Sequence, residues 1–279
     1  MCKDYGRKGK RSFPIVFFLI LLAPLLSGSD GRIDILPDGQ TTLNINTPGS
    51  YVLVGDVNMK ADVTCININT PDVTLDLGGH TITSKGGGTS IAAGIYGVNR
   101  VTVHGGRINS FGGTGIILGE AARVYDLVVA FNGHTGVFVK DRSHVYRVQA
   151  SNNGATGIYA SNNCHVKDCI AEANNKQGKN AGIIVGDNSL VKGCVCRGNC
   201  NLTPSRDGST YGIKAGDSCT ILDNVCTDNV SATTFPDNWS CGISAGSHCL
   251  IRNNTCARNN ATGTQLLAMG TDDRSNVAF

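Results

Sequence analysis

Nine polar residues near the middle of the chain recur at a fixed interval, and their types could do proton or anion chemistry. Arg123, Tyr125 and Asp126 are followed 21 residues later by His144, Tyr146 and Arg147, and again by His165, Lys167 and Asp168. Two histidines brought together could act as acid and base or bind a metal. The same spacing admits a plainer reading. If the triplets stack, Asp126, Arg147 and Asp168 alternate in sign, and opposite charges on neighbouring strands contribute roughly 0.2 to 1 kcal/mol with no ligand at all. A second cluster, Cys194, Cys196 and Cys200 in CVCRGNC, has the crowding of a metal site. Which reading holds depends on the element that carries these residues.

That element is a repeat. Three blocks of 21 residues follow one another without gaps: GIYGVNRVTVHGGRINSFGGT from Gly94, GIILGEAARVYDLVVAFNGHT from Gly115 and GVFVKDRSHVYRVQASNNGAT from Gly136. Longer blocks open at Gly157, Gly182, Gly212 and Gly242 and keep the same apolar positions. A unit this short cannot bury its own apolar side, so it must stack on its neighbours as a solenoid. Within each block apolar residues are spaced by two, in short runs bounded by Gly, Asn, Asp and Ser, which is strand periodicity. Leucine-ladder and amphipathic-helix patterns are missing. The expectation is an all-β, single-stranded right-handed parallel β-helix of about ten coils, each with three short strands, rising ~4.8 Å per coil.

Counting each block from its first glycine turns the repeat into columns. The second position gives Ile95, Ile116, Val137, Ile158, Ile183, Ile213 and Ile243, and the tenth gives Val103, Val124, Val145, Val166, Val191, Ile221 and Ile251. Both read as interior rows. The eighteenth position is Asn132, Asn153, Asn174, Asn199, Asn229 and Asn259, a recurrent turn where Asn can adopt left-handed angles and bond its copies above and below. The cysteines obey the same count. Cys196, Cys226 and Cys256 share the fifteenth position, Cys164, Cys219 and Cys249 the eighth, and Cys169 and Cys194 the thirteenth. They therefore read as small interior residues, with disulfides between adjacent coils possible in an exported protein, and no metal site is expected.

The pattern G-I-x-x-x-x-x-x-V-x-I with its trailing Asn turn resembles the right-handed β-helix repeat of the pectin-lyase-like superfamily. YVLVGDVNM from Tyr51 and VTLDLGGHTITS from Val73 are similar to first coils of its carbohydrate-binding and sugar-hydrolase branch, which includes NosD-like proteins and alginate epimerases. The resemblance implies a polysaccharide or glycan partner and a substrate groove along the Gly-Ile strand. The outward third positions on that strand are Tyr96, Ile117, Phe138, Tyr159, Ile184, Lys214 and Ser244, with Lys140, Asp141 and Arg142 leaving it one coil below Tyr159. Aromatic faces could stack on pyranose rings and a cation could hold a uronate carboxylate. Aromatics are also favoured on exposed strands without any ligand. Insertions before that strand, NNKQGKN, CNLTPSRDGSTY and VSATTFPDNWSC, are where binding loops would sit.

Catalytic sets of the resembled enzymes are incomplete here. The carboxylates a hydrolase needs around a scissile bond have no N-T-D strand or G-H-G turn to carry them; Gly133-His134-Thr135 is the nearest approach, and the Asp272-Asp273 pair lies in the C-terminal tail. The acidic calcium cluster of a pectate lyase is lacking, as is the Y-G-F-D-P-H motif of alginate epimerases. Asp76 and His80 in LDLGGHTI fit a structural coil start. An active lyase or epimerase, with Lys140, Arg142 or His134 as base, and a non-enzymatic surface solenoid stand as alternatives to a polysaccharide-binding or polysaccharide-processing role. No cofactor is implied.

Residues 1–29 read as a secretory signal: Lys3, Arg7, Lys8, Lys10 and Arg11 precede the apolar run Ile15 to Leu26, which is too short to span a bilayer. The membrane is then met only in transit, and the product is secreted, periplasmic or on the cell surface. Removing this segment leaves 19 basic residues against 20 acidic ones, which offers no support for nucleic-acid binding. The remaining organisation is an N-terminal cap with first coils over 30–93, seven repeats over 94–265, and a closing strand and tail over 266–279.

Overall fold

A computed structural model describes residues 31–85, 91–174, 180–200, 209–231 and 240–259, and the backbone of 266–268 and 277–278. The expected signal segment and most of the three insertions lie outside the described residues. All strand pairings are parallel, and they form two sheets of ten and seventeen strands.

The ten-stranded sheet takes one short strand from each turn of the chain, from Leu43–Ile45 through Ile95–Gly97, Val137–Val139 and Thr210–Ala215 to Leu266–Ala268. The larger sheet wraps the other two sides. Its strands are separate in most coils, as in His165–Lys167 and Ile170–Glu172, but fuse in three: Val101–Asn109, Arg123–Ala130 and His144–Ser151. In those coils the expected second and third strands are one strand bent at a corner. Pairing is in register by repeat position, so Ile116 faces both Ile95 and Val137. The second-position and tenth-position rows are fully buried along the axis of the rod.

Each complete coil turns at three corners, and each corner places one residue in the left-handed region. The three columns run through Arg100, Ala121 and Arg142; through Asp126, Arg147 and Asp168; and through Phe131, Asn152 and Ala173, with φ between 52° and 60°. Left-handed backbone costs a non-glycine residue roughly 1 kcal/mol or more, so something must hold each corner. At the third it is the asparagine column. The left-handed residue there precedes the Asn rather than being the Asn, contrary to expectation, and the Asn itself is buried. Nδ2 of Asn153 donates to Oδ1 of Asn174 at 3.0 Å and to the Val129 carbonyl at 3.0 Å. Its own Oδ1 accepts both the backbone N–H (3.1 Å) and Nδ2 (2.9 Å) of Asn132. The pattern continues through Asn199 and Asn229 to Asn259, so each of these interior amides has its polar groups matched.

Cysteine uses the other two corners in the same way. The thiol of Cys164 donates to the Lys140 carbonyl at 3.3 Å and accepts the Ser143 N–H at 3.4 Å, a role that Ser143 and Ser189 fill with hydroxyls in neighbouring coils. Cys194 donates to the Lys192 carbonyl at 3.4 Å, and its backbone N–H donates to Asn224, which replaces Cys at that position and begins a second amide ladder with Asn254. These thiols are therefore more than small apolar fillers. The ten buried cysteines among the described residues are free thiols.

Candidate functional site

The ten-stranded sheet presents its third-position residues outward in one unbroken row. Asn44, Asn67, Tyr96, Ile117, Phe138, Tyr159, Ile184, Lys214 and Ser244 align residue for residue. Phe138 and Tyr159 stack with centroids 5.1 Å apart and planes 20° from parallel. Because they stack along the rod axis, each covers one face of the other. The row therefore offers ring edges and the Tyr159 hydroxyl more than the open faces that sugar stacking would use. Lys214 is exposed, lies 5.5 Å from the Tyr211 ring centroid, and has no carboxylate partner among the described residues.

At the Tyr96 end the row opens into a depression of about 500 Å³ lined by Thr42, Asp62, Val63, Asn67, Ile91 and Tyr96. Asn67 donates to Asn44 Oδ1 at 3.2 Å, while its own buried Oδ1 has no partner. Sequence reasoning missed this feature. Its signal was the pair of Asn residues that continue the aromatic row downward.

Lys140, Asp141 and Arg142 leave the row for the corner, and two of them are committed there. Asp141 accepts the N–H of Asn162 at 3.1 Å, as Asn99, Asn162, Asp187 and Asp217 do for the coils above them. The recurrence of Asn and Asp at this sixth position was visible in the sequence. Arg142 is left-handed and its guanidinium is on Glu120. Lys140 remains exposed.

The second cluster lies on the other sheet, so the two candidate sets do not meet. Arg123, His144 and His165 form one outward column, and Tyr125, Tyr146 and Lys167 the next. His104 extends the latter: His104 stacks on Tyr125 at 4.6 Å and Tyr125 on Tyr146 at 4.7 Å, nearly parallel in both cases. Below them Asp76 takes the N–H of Gly78 and pairs with Arg32, and His80 lies 3.4 Å from Asp56, which gives the LDLGGHTI segment its structural role. Arg147 grips Asp126 through two hydrogen bonds of 2.6 and 2.8 Å, holding that carboxyl below its ordinary range, and its guanidinium lies 4.8 Å from the Tyr146 ring centroid. The expected alternation of charge is thus a real pair for Asp126 and Arg147. His144 meets His165 edge-on at 4.8 Å; burial, then the charges of His165, Arg123 and Lys167, push its pKa down.

No protein-family model and no curated protein matches the sequence. Solved structures do. The chain is similar to ORF18 of Geobacillus virus E2 (TM-score 0.52, 12% identity, 87% of this chain and 52% of that one). It is also similar to a double mutant of the periplasmic alginate epimerase AlgG (0.51, 14%, 89% and 75%) and to the pectate lyase Pel9A (0.52, 14%, 87% and 72%). The chain therefore spans about half of the viral structure and about three quarters of the two enzymes. Together with the all-parallel strand order and the stacked columns, these likenesses show the fold, a right-handed parallel β-helix like that of the epimerase and the lyase.

Proposed function

We propose that this is an exported protein that binds polysaccharide along the outer row of the ten-stranded sheet, with uronate-containing chains as the favoured class. The observation that carries this reading is the row itself: amide, hydroxyl, ring edge and an exposed ammonium in register over successive coils, with no carboxylate among its described members. A linear polymer laid parallel to the rod would meet these groups in order, and Lys214 supplies a cation for an acidic sugar. Two structural neighbours bear the names of enzymes for alginate and pectate, which supports the substrate class by analogy of fold. Binding is favoured over hydrolysis because Asp141 is engaged at the corner and the described members of the row include no carboxylate pair. Export rests on the leader sequence, and it places the protein in the periplasm, at the cell surface or outside the cell.

Affinity electrophoresis of the full chain through gels containing alginate, pectate or a neutral glucan tests the reading. Retardation by an acidic gel, reduced about tenfold in affinity by Phe138→Ala with Tyr159→Ala, is the expected result. Equal migration of wild type and variant in every gel would overturn it.

A further inference from the structure

We infer that the His144 face of the larger sheet is a second, separate anion-binding surface, one that captures acidic polysaccharide under mildly acidic conditions and releases it near neutrality. The observations are geometric. Arg123, His144 and His165 stand in one outward column and Tyr125, Tyr146 and Lys167 in the adjacent one, so cationic and hydroxyl groups form a patch two columns wide. Among the described residues, no carboxylate lies within ion-pair reach of Arg123 or Lys167. Tyr125 and Tyr146 use their ring faces on each other and on His104, and both side chains stay half-exposed.

The histidines set the balance of charge. From the strand below, His144 is faced by Arg123, Tyr125 and Asp126; on its own strand by Tyr146 and Arg147; from the strand above by His165, Lys167 and Asp168. His104 lies one strand further down, beside Asp76 at 3.6 Å, and Lys192 lies one strand further up, where it pairs with Asp223 at 3.6 Å. Asp126 is held by Arg147, whose charge also interacts with Asp168. With His144 neutral, the cations and carboxylates of the patch nearly cancel, and protonating His144 tips it positive. In the free protein His144 resists protonation because desolvation and the neighbouring His165, Arg123 and Lys167 disfavour its charged form. A bound polyanion reverses that bias, so binding takes up protons, and affinity rises as pH falls through the pKa of the complex toward that of the free protein.

The experiment measures binding of the full chain to dextran sulfate, whose charge is constant over the range, to polygalacturonate, and to uncharged dextran, at about pH 5 and about pH 7.5 and fixed ionic strength. Affinity for both anionic polymers is expected to be about tenfold higher at the lower pH, with no binding of dextran attributable to this face. His144→Gln with His165→Gln should abolish the pH ratio, and Arg123→Gln with Lys167→Gln should weaken binding at both values. Phe138→Ala with Tyr159→Ala should leave the ratio intact, which separates this face from the row on the ten-stranded sheet. A pH ratio retained in the double histidine variant, or tighter binding to duplex DNA than to either polymer, would overturn the inference.

Discussion

The asparagine column at the third corner and the aromatic row on the ten-stranded sheet repeat once per coil, yet they do opposite things with that spacing. Inside, the amides of Asn153 and Asn174 direct every donor and acceptor at protein atoms, so nothing is left over. Outside, Phe138 and Tyr159 cover one ring face each, and ring edges, the Tyr159 hydroxyl and the Lys214 ammonium stay available. Stacking in register is therefore neutral as to purpose. What distinguishes scaffold from surface is whether the stacked groups exhaust one another.

Measurements that break the closed column should show the larger effects. Burial pushes the Cys241 thiol up to about 12, which leaves roughly a thousandfold less thiolate at neutral pH than an ordinary cysteine. Thiol labelling followed by peptide mapping should find Cys241 unreactive in the folded protein and reactive in denaturant; prompt labelling of the folded chain would mean that the interior opens. Asn174→Leu removes partners from the N–H and Nδ2 of Asn153 at once, and should cost about 3 kcal/mol in denaturant unfolding, against which a change under 1 kcal/mol would show the ladder to be redundant.

Changes outside should alter binding and leave folding nearly intact. Lys214→Gln should lower affinity for an acidic glucuronan or pectate about threefold while the unfolding midpoint stays put, and a loss of stability instead would assign Lys214 to the scaffold. The His144 pKa is lower in the folded chain than its ordinary value of about 6.5, so the unfolded state binds more protons across that interval. Stability should accordingly fall modestly as pH drops below the ordinary value, and His144→Gln should flatten the dependence measured by thermal melting. The smallest effect is expected for the exposed corner pair Asp228 and Arg258, whose hydrogen bonds of 2.7 and 2.8 Å hold the Asp228 carboxyl low. Its contribution is present above the unfolded carboxylate pKa and is lost as pH falls through the folded one, so Arg258→Gln should matter less at strongly acid pH than at neutrality.

The architecture was legible because the repeat is a statement about stacking: the second, tenth and eighteenth positions had to coincide, and the in-register pairs together with the Asn132 to Asn153 amide bond bear that out. The outward row was legible for the same reason. Where polar atoms turn was not. Asp141 leaves the groove strand two residues after Val139, and its side chain accepts a backbone N–H one coil above, a choice made by corner geometry that apolar spacing does not encode. The stack of His104 on Tyr125 escaped because His104 lies one coil below the triplet of Arg123, Tyr125 and Asp126, so only register reveals it. The cysteines were placed correctly inside and understood incompletely, since Cys, Ser and Asn trade places wherever a corner carbonyl needs a donor.

Every coil from Gly115 to Gly157 has its own three left-handed corners and its own rung of Asn. The rod is consequently divisible by storey. Excising residues 136–156 would join Thr135 to Gly157, bring Asn132 beneath Asn174, and shorten the molecule by one rung without creating a new kind of contact. Length in such a molecule is a countable property, which duplication or deletion of a single 21-residue unit can reset while the chemistry of each remaining level stays the same.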